Sequence, residues 1–130
     1  MIEINNLTDF ELKEEKLKEI AEKVLEEKGQ KNINLSIAFV KSDKIREVNK
    51  KYRDKDNPTD VLSFGSIEDD FAEIVICPEV LGEDNLLEKV SFCLIHGVLH
   101  ILGYEHKKGK KKKEKMYNLQ KKYLNNFYNN

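Results

Sequence analysis

A long apolar segment, from about Leu86 to Leu102, constrains the fold of this chain more than any other stretch. Its apolar residues follow one another with little polar interruption, which is typical of a helix that is buried on nearly all sides. It is shorter, and more polar at its start, than a membrane span. We therefore predict a central core helix. The residues that carry this pattern are Leu87, Val90, Phe92, Leu94, Ile95, Val98, Leu99, Ile101 and Leu102.

The three histidines of the chain all lie in this segment or just after it. His96 and His100 are four residues apart, so a helix places both imidazoles on one face. Gly103 can end the helix in a left-handed conformation, after which the chain can turn back and bring His106 toward the other two. Three converging imidazoles leave the fourth position of a tetrahedral zinc ion to water. The pattern predicts one zinc ion per chain, held by His96, His100 and His106.

The rest of the chain predicts one α+β domain over residues 1–130, with a small mixed four-stranded sheet packed with helices. The last two strands are joined by a short polar turn, which indicates an antiparallel hairpin. The four strands are expected at 1–5, 35–40, 61–64 and 72–77. A last amphipathic helix is indicated by Met116, Leu119, Tyr123 and Phe127.

Local signals also predict where the first two helices begin. Thr8, followed by Glu11 three residues later, has the spacing of a capping box. Ser42 or Asp43 is placed to cap the second helix. Three residues of that second helix are predicted to face inward: Ile45, Val48 and Tyr52.

The charge of the chain is unevenly placed. Charged residues make up 36% of the chain, yet its net charge is −1. A run of lysines follows His106 and is densest at Lys110, Lys111, Lys112 and Lys113. At the rim of a metal site, such a run would attract a polyanion. A solvated surface segment is the alternative interpretation.

The two cysteines are too few and too scattered to form a disulfide framework, which favours the reducing cytoplasm. Cys93 precedes His96 by three residues, so it is either a small core residue or a fourth, thiolate ligand that would close the metal site. The chain has no apolar run that could span a membrane, and its start does not resemble a signal peptide. We expect no membrane association and no nucleotide cofactor.

The histidine spacing is also that of the metzincin zinc peptidases. In those enzymes a glutamate directly after the first histidine acts as the general base. Gly97 occupies that position here. The ligand pattern therefore predicts a metal site, whereas a peptidase-like hydrolase lacks its base and is kept as an alternative.

The segment from His96 to His106 resembles the signature of the YbeY family of bacterial endoribonucleases. The segment from Tyr52 to Phe64 resembles the second motif of that family, and Ala72 to Ile76 resembles a third, weaker motif. The resemblance implies a zinc-dependent, single-strand-specific endoribonuclease that acts in ribosomal RNA maturation, at the 3′ end of the small-subunit rRNA, and in ribosome quality control. It implies ribosomal RNA, the small ribosomal subunit and ribosome-associated proteins as partners.

The same resemblance assigns roles to particular residues. It makes the three histidines the metal ligands and Arg53 the residue that contacts the phosphate and the transition state. The general base stays open among Glu105, Asp60 and Glu73. A non-catalytic RNA- or ribosome-binding factor with a structural zinc is a further alternative, because no base is evident.

The chain departs from the family pattern in several places. Glu105 stands where the family usually has Asp, which keeps the charge. Ala72 and Glu73 replace Gly-Asp, and Gly65 replaces a proline. Phe92 stands where a further histidine is often found, which leaves the three ligands untouched. The lysine run lies in a segment that is usually much more acidic, so its role in RNA binding would be particular to this chain.

Overall fold

The computed structural model of this protein describes residues 1–30, 32–104 and 110–128. These residues form a mixed α+β fold, as predicted. Within the same ranges, no helix has both the length and the apolar character needed to cross a membrane. In chain order the elements are β1 (Ile2–Asn6), α1 (Glu14–Glu27), β2 (Asn34–Phe39), α2 (Ser42–Arg53), β3 (Val61–Phe64), β4 (Phe71–Ile76), α3 (Pro78–Leu81), α4 (Leu86–Ile101) and α5 (Lys110–Tyr128).

The strands form one mixed sheet in the order β1-β2-β4-β3. Three of them, β1, β2 and β4, run parallel to one another. The fourth, β3, runs antiparallel to β4, with Val61 opposite Ile76. The predicted mixed four-stranded sheet and its hairpin are therefore confirmed. Among the described residues β3 is an edge strand, which has a strand neighbour on one side only.

The central helix of the fold is α4, as its apolar sequence predicts. Leu94, Ile95, Val98 and Leu99 are fully buried, with 0% of their surface exposed. The helix contacts α1 and α5 as well as β3 and β4 of the sheet. Burying one side chain of this kind stabilises a protein by about 1.5–3 kcal/mol. The helix is therefore held rigidly by the core that surrounds it.

The two faces of the sheet are covered by different helices. Ile74 and Ile76 of β4 belong to the main core, which also contains the buried residues of α1 and α4. Val75 and Cys77 point the other way and pack with Ile45 of α2 in a smaller cluster. This alternation is expected for a strand that is covered on both faces. As a result, β3 lies between α4 on one face and α2 on the other.

The predicted capping box at the start of the first helix is wrong. Helix α1 begins at Glu14, beyond both Thr8 and Glu11. The Thr8 hydroxyl donates to Oδ1 of Asn6 at 2.6 Å and accepts the N–H of Phe10 at 3.2 Å. Its hydrogen-bonding capacity is thus used in the turn after β1 and is not available to a helix.

The predicted cap of the second helix is also wrong. Ser42 is itself the first helical residue, Lys41 holds the cap position, and no side chain at that position caps the helix. The N–H of Ser42 donates instead to Oε1 of Glu79 in α3, at 2.9 Å. This bond holds the pKa of the Glu79 carboxyl below its usual range. A residue distant in sequence therefore satisfies the start of α2.

One of the three inward-facing residues predicted for α2 is exposed. Ile45 is fully buried and Val48 is half-buried, as predicted. Tyr52 has 61% of its surface exposed. Its ring contacts the ring of Phe64 edge-on, with centroids 5.4 Å apart. The last turn of α2 therefore lies beside the end of the edge strand.

Candidate metal and phosphate site

The two histidines of α4 open onto a cleft beside the edge strand β3. His96 and His100 are half-buried, and their ring centroids are 4.7 Å apart with an interplanar angle of 68°. Both imidazoles therefore share one face of the helix, as their spacing predicts. The cleft has a volume of about 340 Å³, and the other residues that line it are Arg53, Thr59, Asp60, Val61, Leu62 and Ser63.

The end of α4 has the geometry predicted from Gly103. This glycine has a φ of +101°, a conformation that residues with a side chain rarely adopt. Its N–H donates to the carbonyl of His100 at 3.0 Å, and the N–H of Tyr104 donates to that of Leu99 at 3.0 Å. These paired bonds are those of a Schellman motif, which satisfies the last carbonyls of a helix. The predicted helix end is confirmed.

The third predicted ligand, His106, lies outside the described residues, as does its neighbour Glu105. The described ranges contain no group of three His, Cys, Asp or Glu side chains that could hold a metal ion. Two members of the predicted ligand set, His96 and His100, are therefore placed together. The full set of three stays a prediction.

The side chains that are described suit zinc. Imidazole nitrogens are common zinc ligands, and two nitrogens on a tetrahedral zinc lie about 3.3 Å apart, given Zn–N bonds of about 2.0–2.1 Å. Rings whose centroids are 4.7 Å apart, on one helix face and beside an open cleft, are compatible with that spacing. His96 and His100 therefore fit two of the three positions in an open zinc site.

A buried glutamine of α5 contacts one of the two rings. Oε1 of Gln120 lies 3.2 Å from Nδ1 of His96, and its Nε2 donates to the backbone carbonyl of Phe92 at 3.1 Å. Gln120 is only 4% exposed. Sequence reasoning missed this residue, although a signal was present. Gln120 occupies a position on the apolar stripe of α5 between Met116 and Tyr123, both of which are buried.

Gly97 has no room for a side chain. A Cβ atom added there would lie 2.9 Å from Cγ2 of Ile74 and 3.0 Å from its Cδ1. The close approach of α4 to β4 therefore depends on a glycine at this position. A glutamate at position 97 would point into the core and collide with Ile74. The general base of a metzincin is thus excluded here by packing as well as by sequence.

Arg53 lines the same cleft as the two histidines. It is the last residue of α2, and Asp54 follows it with a φ of +56°, which turns the chain into the loop that leads to β3. Arg53 is exposed, so its guanidinium can reach a ligand from solvent. A planar guanidinium can bind two phosphate oxygens at once. The cleft therefore brings together two imidazoles, which can bind a metal ion, and a guanidinium, which can bind a phosphate.

The loop after Arg53 is held to α2 by polar contacts, one from a buried residue and one from an exposed residue. Nδ2 of Asn49, a buried residue of α2, donates to the carbonyl of Asn57 at 2.9 Å. Nε of Arg46 donates to Oδ1 of Asp56 at 2.8 Å, and this bond holds the pKa of the Asp56 carboxyl below its usual range. These contacts tie the loop that leads from Arg53 to the edge strand back onto α2.

The three candidate bases are placed differently. Asp60 is half-buried, lines the cleft, and accepts the N–H of Cys77 with its backbone carbonyl at 2.8 Å. Glu73 precedes Ile74 on β4; because Ile74 faces α4, Glu73 lies on the opposite face of the sheet. Glu105 is outside the described residues. Asp60 is therefore the described carboxylate that the fold brings to the histidines.

Cys93 has the environment of a core residue. It is 5% exposed. Burial raises the pKa of Cys93 to about 12, and the charge of the nearby Asp60 carboxylate adds to this shift. A thiol with this pKa is protonated near neutral pH. Because Cys93 is buried and is not among the described residues that line the cleft, the interpretation as a small core residue is favoured over that of a thiolate ligand.

The lysine run coincides with the start of α5, which begins at Lys110. Lys113 is exposed, whereas the side chains of Lys110, Lys111 and Lys112 lie outside the described part of the chain. The predicted attraction between this run and RNA stays a prediction.

Comparison with known proteins places the chain among endoribonucleases. The family model of endoribonuclease YbeY matches residues 3–128. A relative from Thermotoga neapolitana, named endoribonuclease YbeY, is 38% identical over 88% of this chain and 78% of its own length. A relative of the same name from Staphylococcus carnosus is 34% identical over 96% of this chain and 84% of its own length.

A solved structure extends this similarity to the fold. The solution structure of a protein from Thermotoga maritima matches this chain with a TM-score of 0.68 and 31% identity. The match covers 99% of this chain and 90% of that protein. The chain therefore belongs to the endoribonuclease YbeY family.

Proposed function

We propose that this protein is a zinc-dependent, single-strand-specific endoribonuclease that processes ribosomal RNA. Its family supports the broader statement that it is an endoribonuclease, a hydrolase of internal phosphodiester bonds in RNA. The observation that supports a metal-dependent mechanism is the cleft that His96, His100 and Arg53 line together. Metal-binding imidazoles and a phosphate-binding guanidinium in one cleft suit phosphodiester hydrolysis.

In this proposal, His96, His100 and His106 hold one zinc ion per chain. When bound, the ion supplies a water of lowered pKa and a Lewis acid for a phosphoryl oxygen. His96 and His100 project from a helix whose burial fixes their positions. Helix α4 ends at Ile101, five residues before His106 in the sequence.

Arg53 binds the scissile phosphate in this mechanism. Its guanidinium donates to two non-bridging oxygens and stabilises the negative charge that builds on them during phosphoryl transfer. Asp60 is the described carboxylate best placed to accept a proton, because it lines the cleft beside the histidines.

The two alternative functions, a peptidase and a non-catalytic RNA-binding factor, would each need a feature that the described residues argue against. A peptidase would need a general base after the first histidine, and the packing of Gly97 against Ile74 leaves no space for one. A non-catalytic RNA-binding factor with a structural zinc would need a closed metal site. The open cleft beside His96 and His100 favours a catalytic site instead.

The finer biological role follows from the resemblance to the YbeY motifs. We propose that the substrate is ribosomal RNA near the 3′ end of the small-subunit rRNA and that the enzyme also acts in ribosome quality control. Its partners would then be the small ribosomal subunit and ribosome-associated proteins, and its compartment the cytoplasm. Both cysteines are free and buried, which agrees with a reducing compartment.

Metal analysis combined with cleavage assays tests the proposal. Wild-type protein, His100→Ala and Arg53→Ala are purified, their bound metal is measured, and each is incubated with a fragment of small-subunit rRNA in single-stranded and in duplex form. Lys44→Ala is the matched control, because Lys44 is an exposed cation of α2 that does not line the cleft. An unfolded protein serves as the substrate for a peptidase.

We expect about one zinc per wild-type chain, cleavage of the single strand, and loss of cleavage in both cleft variants. Full-rate cleavage by His100→Ala and Arg53→Ala would overturn the proposed site. Zinc and RNA binding without cleavage would support the non-catalytic factor, and proteolysis that disappears in His100→Ala would support the peptidase. Equal cleavage of single strand and duplex would refute the strand preference.

A further inference from the structure

The amide of Gln120 connects α5 to the metal-binding face of α4. Its side chain lies between the backbone of Phe92 and the ring of His96, and only 4% of the residue is exposed. A buried polar side chain in an otherwise apolar stripe is costly unless both ends of it are hydrogen-bonded. Both ends are bonded here, and both partners belong to α4.

The contact with Phe92 fixes the orientation of the amide. The backbone carbonyl of Phe92 can only accept a hydrogen bond, so the atom that faces it at 3.1 Å must be the amide nitrogen of Gln120. The amide oxygen must then be the atom that lies 3.2 Å from Nδ1 of His96. The usual ambiguity between the two ends of a glutamine is therefore removed by a backbone group.

The orientation of the amide in turn determines which ring nitrogen of His96 carries the hydrogen. The Gln120 oxygen can only accept, so Nδ1 of His96 must carry a hydrogen. In a neutral imidazole the lone pair then resides on Nε2, the nitrogen that can bind a metal from this ring. We propose that Gln120 is a positioning residue that fixes His96 as the Nδ1–H tautomer and sets its ring orientation for metal binding.

The part of this inference that concerns the metal rests on the proposed zinc-dependent function. Residues that hold the second nitrogen of a ligating histidine typically change metal affinity by about 10–100-fold when they are replaced. We expect a loss of that size when the Gln120 oxygen is removed. The part that concerns the tautomer holds for the metal-free protein as well.

The test measures the tautomer directly, by ¹⁵N NMR of the histidine side chains in metal-free protein above the pH range in which imidazoles are charged. Gln120→Met keeps an unbranched side chain of similar length but removes the acceptor. Gln120→Glu keeps the acceptor beside Nδ1. Asn125→Met removes an amide from an exposed position of the same helix and is the control. Zinc affinity is measured for all four proteins by competition with a chelator.

We expect His96 to be the Nδ1–H tautomer in the wild type, in Gln120→Glu and in Asn125→Met, and a mixture of tautomers in Gln120→Met with about 10–100-fold weaker zinc binding. An Nε2–H tautomer in the wild type would overturn the inference even if no variant folds. An unchanged tautomer in folded Gln120→Met would also overturn it. If the protein binds no zinc and cuts no RNA, but the tautomer depends on Gln120, the proposed function fails and the positioning role stands.

Discussion

The two walls of the cleft are built in opposite ways. The wall formed by α4 lies in the core: Gly97 presses against Ile74, and His96 is held by the buried Gln120. The wall formed by Arg53 and the loop after it is exposed, and its contacts are polar and lie near the surface, as in the pair Arg46–Asp56. The wall that carries the two histidines is therefore set by packing, and the wall that carries Arg53 is set largely by polar contacts, of which the exposed ion pair is screened by solvent.

This contrast separates the effects of substitutions on the two walls. A change in the α4 wall disturbs core packing or metal binding, so it should alter the free energy of unfolding. A change in the exposed wall leaves the core intact, so it should alter catalysis with little change in stability. Substitutions and metal addition can test the contrast, from its largest expected effect to its smallest.

The largest effect is expected for Gly97→Glu, which places a carboxylate in the core against Ile74. Overpacking together with an unpaired buried charge should lower the free energy of unfolding by about 4 kcal/mol or more. Gly97→Ala adds only the Cβ atom and should cost about 1–3 kcal/mol. Urea denaturation measures both values. If Gly97→Ala is as stable as the wild type, the close contact between α4 and β4 does not require a glycine.

A double-mutant cycle identifies the colliding side chain. Ile74→Ala alone should cost about 2–5 kcal/mol, because it leaves a cavity in the core. In the double variant, the Cβ atom added by Gly97→Ala gains space, so the combined cost should be less than the sum of the two separate costs. Additive costs would show that Ile74 is not what excludes a side chain at position 97.

Arg53→Ala tests the exposed wall. Loss of one charged donor to the transition state should lower kcat by about 10²–10³-fold, or about 2.7–4 kcal/mol. The free energy of unfolding should change by less than about 0.5 kcal/mol, because Arg53 is an exposed residue. Arg53→Lys should recover only part of the rate, because an ammonium lacks the planar fork. A fall in stability that parallels the fall in rate would contradict the separation of the two walls.

Metal addition tests the α4 wall with the sequence unchanged. Zinc at about one hundred times its dissociation constant should raise the free energy of unfolding by about 2.7 kcal/mol, because it binds the folded state. The increment should be absent in His100→Ala and unchanged in Arg53→Ala. Urea denaturation of each protein with zinc and with a chelator provides the measurement. An equal increment in wild type and His100→Ala would remove His100 from the metal site.

The smallest effect is expected at the ion pair of the exposed wall. The hydrogen bond from Arg46 holds the pKa of the Asp56 carboxyl below its usual range. Because the pKa is lower in the folded state, the ion pair adds to the free energy of unfolding at pH values above the unfolded pKa of about 3.9. This contribution is lost as the pH falls through the pKa of the folded state. In Arg46→Gln the NMR-measured pKa of Asp56 should rise toward about 3.9. An unchanged pKa would show that the pair does not persist in solution.

The elements that the sequence predicted well are those determined by patterns within one segment. The central helix, the β3–β4 hairpin and the helix end at Gly103 are all where periodicity and turn chemistry place them. The starts of α1 and α2 were predicted less well, because the hydroxyl of Thr8 bonds within a turn and the start of α2 is bound by Glu79. Neither partner can be identified from the residues at the helix start alone.

By itself, the sequence determined the buried helix, the shared face of His96 and His100, and the family whose motifs the chain carries. Only the tertiary structure decided that Arg53 and Asp60 line the same cleft and that Glu73 lies on the other face of the sheet. Periodicity acts within a segment, so it is visible in the sequence. Contacts such as Gly97 with Ile74, and His96 with Gln120, join segments more than twenty residues apart, and these exist only once the sheet and helices have packed.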